Sequence, residues 1–175
     1  MVFLLDSSQG VTNEIYRKEK EFIKSLATNF NISPKGPRGS AIMYADKPYT
    51  IASFAEHSFS QRIDSAPLLN KSRRIDKALE NAAVILSRSK GRKIVILLTA
   101  GKQAKNAKAL NEAVEPLRKI SAQVFVVSIG QNTDVRQLSF VVDRFRDLFQ
   151  IPSQRNLLSR SQYIAKEVRR KPGEY

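Results

Sequence analysis

A carboxylate followed by hydroxyls, in the turn after a buried strand, could hold a divalent cation. Such a group stands at Asp6-Ser7-Ser8-Gln9-Gly10, directly after the apolar run Met1-Val2-Phe3-Leu4-Leu5. Hard dications such as Mg²⁺ take oxygen ligands, often one or two carboxylates with water completing the shell. The segment therefore predicts a candidate cation site at the end of the first strand, with Asp6 and Ser8 as its first ligands.

Catalytic groups are scarce in this chain. His57 is the only histidine and stands in a predicted polar loop before Phe59, which favours a surface residue over a general base. No nucleophile elbow, P-loop or GxGxxG motif occurs. The absence of cysteine removes disulfides and thiolate metal sites. We therefore predict no catalytic residue, no cofactor and no small-molecule substrate.

The length and the composition of the chain indicate one domain with a strong positive charge. A length of 175 residues suits a single domain, which we place at 1–170 with a frayed end at 171–175. Because the apolar run starts at once, we expect the chain to be a domain of a longer protein. The net charge of +14 predicts attraction to nucleic acid, sulfated glycans, anionic membranes or acidic proteins. No apolar run reaches the roughly 18 to 20 residues of a membrane span, so we expect no membrane insertion.

Strand and helix patterns alternate along the chain. Apolar or alternating runs predict strands at Val2 to Leu5, Ser40 to Ala45, Tyr49 to Phe54, Lys93 to Thr99, Val124 to Ile129 and Leu148 to Ile151. The second and third of these flank Asp46-Lys47-Pro48, which indicates a hairpin. The alternation predicts an α/β fold: a doubly wound, mostly parallel six-stranded sheet with one antiparallel edge strand and six principal helices on both faces.

Helical spacing of apolar residues marks those helices. The first begins at Thr12 or Asn13, and Asp134 with Gln137 forms a predicted capping box for a later one. Four apolar stripes predict the last four helices. They are Ile75, Ala78, Leu79, Ala82, Ala83 and Leu86; Leu110, Ala113, Val114 and Leu117; Val135, Leu138, Val142 and Phe145; and Leu157, Leu158, Ile164, Ala165 and Val168. In such sheets, ligands bind beyond the carboxyl ends of the strands, where Asp6 is expected.

Five segments in order resemble von Willebrand factor type A domains, a Rossmann-like family, over essentially the whole chain. They are Phe3-Leu4-Leu5-Asp6-Ser7-Ser8, Ala41-Ile42-Met43-Tyr44-Ala45, Ile75-Asp76-Lys77-Ala78-Leu79, Ile94-Val95-Ile96-Leu97-Leu98-Thr99-Ala100-Gly101 and Val124-Phe125-Val126-Val127-Ser128-Ile129-Gly130. Within the family, the Leu97-Leu98-Thr99-Ala100-Gly101 variant resembles the modules of the collagen type VI alpha chains. The resemblance implies a metal-ion-dependent adhesion site that opens with a DxSxS motif.

That resemblance implies five metal-binding groups, and this chain retains two of them. Asp6 and Ser8 match, whereas Gly10, Arg73 and Ala100 stand where the family has a hydroxyl, a threonine and an aspartate. We expect no functional metal, with Asp6 and Ser8 as a vestige of the site that caps the first turn. We also expect Arg73 or Arg74 to lie near Asp6 and partly replace the missing cation.

Basic residues suggest a binding face at the same edge. Lys71, Arg73 and Arg74 precede the third principal helix, and Lys102 and Lys105 follow the fourth strand. These five are a candidate face for heparin or heparan sulfate, although charge runs are often only solvated surface. The sequons at Asn31 and Asn70 lie in predicted loops and are candidate glycosylation sites.

The resemblance implies a non-enzymatic interaction module of a secreted, collagen VI-like extracellular matrix protein. Its expected partners are other matrix proteins, neighbouring A-type modules and glycosaminoglycans. One alternative is an intracellular nucleic-acid-binding domain, for which the pI of 10.2 is the argument. A second alternative is a metal-dependent adhesion domain, which Arg73 and Ala100 disfavour.

Overall fold

One sheet with helices on both faces organises the chain, in a computed structural model that describes residues 1–53, 58–171 and 173. Its strands are β1 Val2–Asp6, β2 Ser40–Tyr44, β3 Pro48–Ala52, β4 Ile94–Thr99, β5 Gln123–Ile129 and β6 Leu148–Ile151. Its helices are α1 Asn13–Asn29, α2 Phe59–Ser65, α3 Ile75–Ser87, α4 Leu110–Ala113, α5 Glu115–Lys119, α6 Val135–Ser139 and α7 Ser161–Arg169. Short 3-10 turns at Phe145–Asp147, Gln154–Asn156 and Leu158–Arg160 complete the described elements.

The sheet has the strand order β3-β2-β1-β4-β5-β6. Neighbouring strands pair in parallel except β3, which runs antiparallel to β2 at one edge. The predicted doubly wound α/β class is therefore confirmed, including the antiparallel edge strand. β1 lies between β2 and β4, and the carboxyl ends of β1 and β4 meet at one rim. We call this rim, where the two strands end at Asp6 and Thr99, the carboxyl edge.

Alternation along the strands builds two cores. In β1, Phe3 and Leu5 face one core with α1, α2 and α7, whereas Val2 and Leu4 face the other with α3 to α6. All four of these side chains are fully buried. A strand covered on both faces has to be apolar throughout, which explains why the central strands appear as unbroken apolar runs. The sheet is thus a rigid support for the loops that leave its carboxyl edge.

Two helix starts follow the expected capping chemistry. The Thr12 hydroxyl accepts a hydrogen bond from the Ile15 backbone N–H at 3.1 Å, and α1 begins at the next residue. The Asp134 carboxylate accepts from the Gln137 backbone N–H at 3.1 Å at the start of α6. Each cap satisfies a backbone donor that has no partner inside the helix.

Several helix predictions were wrong in detail. The stripe from Leu110 to Leu117 forms two short helices, because Pro116 at the start of α5 cannot donate to the preceding turn. α6 ends at Ser139, so Phe145 is not part of it and is 63% exposed. Leu158 lies in a 3-10 turn and is 40% exposed. The sequence patterns did not locate α2, and the split of the Leu110 stripe brings the α-helices among the described residues to seven instead of six.

Some sequence predictions fall on residues outside the described ranges. They concern His57, the final residue Phe54 of the third predicted strand, and most of the expected frayed end, at 172 and 174–175. Within the described part of the chain, no helix combines the length and apolar character needed to cross a membrane.

Candidate functional site

The carboxyl edge brings three loops together around Asp6. The turn after β1 pairs with the segment before α3 through a bridge between Ser8 and Lys71, and the Gln9 N–H donates to the Lys71 carbonyl at 2.6 Å. The loop after β4 joins them, because the Ala104 N–H donates to the Arg73 carbonyl at 2.8 Å. Residues that are far apart in the sequence therefore form one compact rim.

Asp6 is completely buried and its carboxylate is saturated with protein donors. Its Oδ1 accepts from the Ser8 backbone N–H at 3.1 Å and from the Ser8 hydroxyl. Its Oδ2 accepts from Arg73 Nε at 2.8 Å and from the Ala100 backbone N–H at 2.9 Å. Each carboxylate oxygen thus has at least two donors already, which is the usual way to stabilise a buried charge.

Arg73 supplies the positive charge at this position. Besides its ion pair with Asp6, its Nη1 donates to the Lys102 carbonyl and its Nη2 to the Gln9 carbonyl, both at 3.2 Å. The side chain is only 9% exposed. One guanidinium therefore links all three loops of the rim. The expected pairing of an arginine with Asp6 is confirmed for Arg73.

Glycine at position 101 gives the guanidinium its space. A Cβ on Gly101 would lie 2.2 Å from Arg73 Nη1 and 2.8 Å from its Cζ, far inside van der Waals contact. The Gly101 backbone is not in the left-handed region, so conformation alone does not require glycine there. The close approach of the Arg73 side chain explains the glycine.

Arg74, the other arginine considered, turns away from Asp6. Its Nε and Nη2 donate to the two carboxylate oxygens of Asp76 at 2.9 and 2.7 Å. Burial alone would raise the pKa of Asp76, but hydrogen bonds from Arg74 and from the N–H groups of Lys108 and Lys77 outweigh it and hold that pKa below its usual range. Arg74 therefore anchors the start of α3.

The residues present do not offer a divalent cation the donor set it needs. Asp6 and Ser8 occupy two ligand positions of the resemblance, but the Ser8 hydroxyl donates to Asp6 and the carboxylate is saturated. Arg73 brings a positive charge to the position of the family's threonine, and Ala100 has no side-chain oxygen. Gly10 has a φ of +89°, which a residue with a side chain rarely adopts. Among the described residues, no group of three His, Asp or Glu side chains is placed to hold a metal.

Glu19 is part of this site and the sequence analysis missed it. It is fully buried on α1, and its Oε1 accepts from the Asp6 backbone N–H at 3.1 Å. Its Oε2 has no hydrogen-bond partner in the described part of the chain. Burial first, and then the Asp6 charge, raises the pKa of Glu19 well above its usual range. The sequence did hold one signal of this burial: Glu19 is at helical spacing from Tyr16 and Ile23, which are both buried.

We expect Glu19→Gln to stabilise the protein at neutral pH. A glutamate with a raised folded-state pKa keeps its proton where the unfolded chain loses it, so stability falls as pH rises from the unfolded pKa to the folded pKa. Glutamine imitates the protonated form, so wild type should lose about 1.4 kcal/mol per pH unit relative to the variant within that window. Urea unfolding from acid to neutral pH measures the difference.

The exposed Glu14 on the same helix provides the control. Glu14→Gln replaces an exposed acid and should change stability by no more than about 0.5 kcal/mol at neutral pH. A Glu19→Gln variant that is less stable than wild type at neutral pH would show that Glu19 is folded in its charged form.

The five basic residues expected at the carboxyl edge do share it, but three of them face acids. Arg73 pairs with Asp6 and Arg74 with Asp76, while Lys71 lies 3.8 Å from the Asp46 carboxylate. Lys102 and Lys105 are exposed and form no ion pair with a described acidic side chain. The edge therefore carries less free positive charge than its sequence indicates.

The two sequons lie at the surface. Asn31 and Asn70 are both exposed, and both have a φ of 54°, in the left-handed region that asparagine tolerates. Asn31 follows α1, and Asn70 lies in the segment before α3. Their exposure is compatible with glycosylation, which stays a prediction.

Comparison with known proteins identifies the family. The family model described as von Willebrand factor type A domain matches residues 1–154. The human (Homo sapiens) collagen alpha-1(XXI) chain is 24% identical over 82% of this chain, and the human collagen alpha-5(VI) chain is 31% identical over 58% of it. This chain spans 16% and 4% of those two proteins.

Solved structures give the same fold. Proximal thread matrix protein 1 from the mussel byssus superposes with a TM-score of 0.86 at 22% identity, covering 95% of this chain and 44% of that one. One structure of that protein is described as having a zinc-occupied MIDAS motif. A von Willebrand factor type A protein from Catenulispora acidiphila has a TM-score of 0.80 at 15% identity, over 94% of this chain and 41% of its own. On the family match and the shared fold, the chain belongs to the von Willebrand factor type A domain family.

Proposed function

We propose that this chain is a non-enzymatic interaction module of a secreted matrix protein, and that it binds its partners without a metal ion. The observation that carries the proposal is the Arg73 guanidinium on the Asp6 carboxylate, at the position where the family resemblance implies a cation. Its similarity to collagen chains supports the matrix assignment. The partners would be other matrix proteins, neighbouring A-type modules and heparin or heparan sulfate.

The chemistry of the carboxyl edge supports a binding role rather than a catalytic one. The Ser8 hydroxyl and the Asp6 carboxylate are fully buried and bonded to each other, so neither is presented to a substrate. A nucleophile needs an adjacent base and an accessible reacting atom. The rim offers instead a fixed surface of loops.

Two further elements of the proposal concern the module's extent and its surface. We take residues 1–170 as the module, of which the family model covers 1–154. On secretion, Asn31 and Asn70 would be available for glycosylation. Lys71, Arg73, Arg74, Lys102 and Lys105 remain a candidate polyanion face, with Lys102 and Lys105 as its part that is not paired with a described acid.

The experiment measures metal dependence directly. Calorimetry with millimolar Mg²⁺ or Ca²⁺ should show no saturable heat, and EDTA should leave the melting temperature and the binding to immobilised collagens and heparin unchanged. The reason is that Asp6 has no free oxygen lone pair aimed at solvent and Arg73 repels a dication.

A variant with restored ligands shows that the assay can detect a metal. Arg73→Thr combined with Ala100→Asp removes the guanidinium and returns a hydroxyl and a carboxylate to the family positions. This variant should gain a melting temperature that rises with Mg²⁺. A submillimolar dissociation constant for wild type would instead establish a metal-dependent adhesion domain.

A further inference from the structure

A groove at the opposite rim of the sheet combines positive charge with an apolar floor. It has a volume of about 930 Å³ and lies where β1 and β4 begin, between the loop before β2 and the end of α3. We call this rim the amino edge. The groove residues that matter are Arg38, Arg88, Lys90 and Arg92 around Ile85 and Leu86.

Three of the basic side chains in this groove have no acidic partner in the described part of the chain. Arg38, Arg88 and Lys90 are exposed, and within the described ranges none of the three forms an ion pair with an acidic side chain. At the carboxyl edge, by contrast, Arg73 and Arg74 are each bound to a carboxylate. Arg38, Arg88 and Lys90 therefore contribute positive potential at the amino edge that no ion pair with a described acid offsets.

Arg92 connects this groove to a second one. Its guanidinium donates to the Gln123 side chain at 2.6 Å and to the Arg170 carbonyl at 3.0 Å. Gln123 lines an adjoining groove of about 710 Å³, whose walls include Arg118, Arg144 and Asp143. Arg118 is paired with Glu115 and Arg144 with Asp147. The grooves thus continue along the amino edge from α3 to the start of β5, with the cations that have no described acidic partner, Arg38, Arg88 and Lys90, in the first of them.

Helix capping accounts for only part of this charge. Cations near a helix C-terminus are stabilised by its dipole, which suits Arg88 at the end of α3. Arg38 stands before a strand and Lys90 lies in a loop, and neither lies on a helix. Binding of an anionic ligand would explain why both of these residues line the same groove.

We propose that the amino edge binds a linear sulfated glycosaminoglycan, with Arg38, Arg88 and Lys90 as its principal contacts. The proposal rests on the proposed function, which places the module outside the cell. An arginine guanidinium can donate two parallel hydrogen bonds to two oxygens of one sulfate or carboxylate group. Two adjoining grooves suit an extended polymer better than a compact anion. The three cations of the first groove suit the repeated charges of such a polymer, and its apolar floor suits the C–H faces of sugar rings.

Two double variants, each of which reverses the charge of two basic residues, test which edge of the sheet binds the glycosaminoglycan. Arg38→Glu with Lys90→Glu alters the amino edge without changing a helix cap, and Lys102→Glu with Lys105→Glu alters the carboxyl edge. All four residues are exposed, so each variant should keep the wild-type melting temperature. Binding of size-fractionated heparin oligosaccharides is then measured by calorimetry at about physiological salt, where charges more than ~8 Å apart are largely screened.

The first variant should bind heparin at least about 10-fold more weakly. Its affinity should also depend less steeply on salt, because each lost contact reduces the number of counterions released on binding. The second should stay within about threefold of wild type. Equal losses in both, or a larger loss at the carboxyl edge, would overturn the proposal, as would tighter binding of single-stranded DNA than of heparin.

Failure here is distinguishable from failure of the proposed function. If wild type binds collagens in EDTA but no heparin, the module is still a metal-independent matrix domain and only the amino-edge site is wrong. If it binds DNA and no matrix protein, the proposed function itself is wrong.

Discussion

Replacing Arg73 with alanine is expected to destabilise the protein by about 3–5 kcal/mol, the usual loss when one partner of a buried ion pair is removed. Asp6 has no exposed surface and would lose its charged partner, while the Lys102 and Gln9 carbonyls would lose their donors. Urea unfolding in EDTA, so that no ion takes the place of the guanidinium, measures the loss.

A double-mutant cycle separates the ion pair from general damage. Asp6→Ala and Arg73→Ala should together cost less than the sum of the single losses, by about 0.5–3 kcal/mol for residues in direct contact. Lys102→Ala, which removes an exposed side chain from the same rim, should change stability by no more than about 0.5 kcal/mol. Additive losses, or a small effect of Arg73→Ala, would mean that the pair does not hold the rim together.

Gly101→Ala should destabilise by about 1–3 kcal/mol, the typical cost of overpacking a filled site. The new Cβ would lie 2.2 Å from Arg73 Nη1, and the guanidinium cannot move without giving up the acceptors that hold it. Thermal or urea unfolding of the single variant gives this value.

The same substitution in the Arg73→Ala background should be nearly neutral or stabilising by about 0.4–1 kcal/mol, because alanine restricts the unfolded chain. The change of sign identifies the guanidinium as the group that requires glycine. A similar penalty in both backgrounds would assign the requirement to the backbone around Gly101 instead.

The fold was predictable because its strands are simple to recognise. Segments such as Ile94 to Thr99 and Val124 to Ile129 are apolar on both faces, and only a sheet covered by helices on both sides buries them. Helix boundaries were less predictable, because the stripe around Leu110 has the right period although Pro116 interrupts the hydrogen bonding. Exposed apolar residues such as Phe145 fit a periodic pattern without being buried.

The sequence predicted only those site residues whose place in the fold follows from their position along the chain. Asp6 follows a buried strand, and alignment with the family pattern placed Arg73 at a ligand position. Which of two adjacent arginines turns inward depends on backbone direction, which a sequence pattern does not fix. The role of Glu19 was hidden because one acid on an apolar stripe resembles a solvated helix face until its burial is known.

The three-way link made by Arg73 has a consequence for how the rim responds to its surroundings. A bound ion exchanges with solution, and its occupancy follows the ion's concentration relative to the dissociation constant. A cation attached to the chain has a fixed stoichiometry and an effective concentration set by the fold itself. On the proposed metal-independent function, chelation or a change in calcium supply would leave the shape of this rim unaltered, whereas local unfolding of the segment that carries Arg73 would release all three loops together.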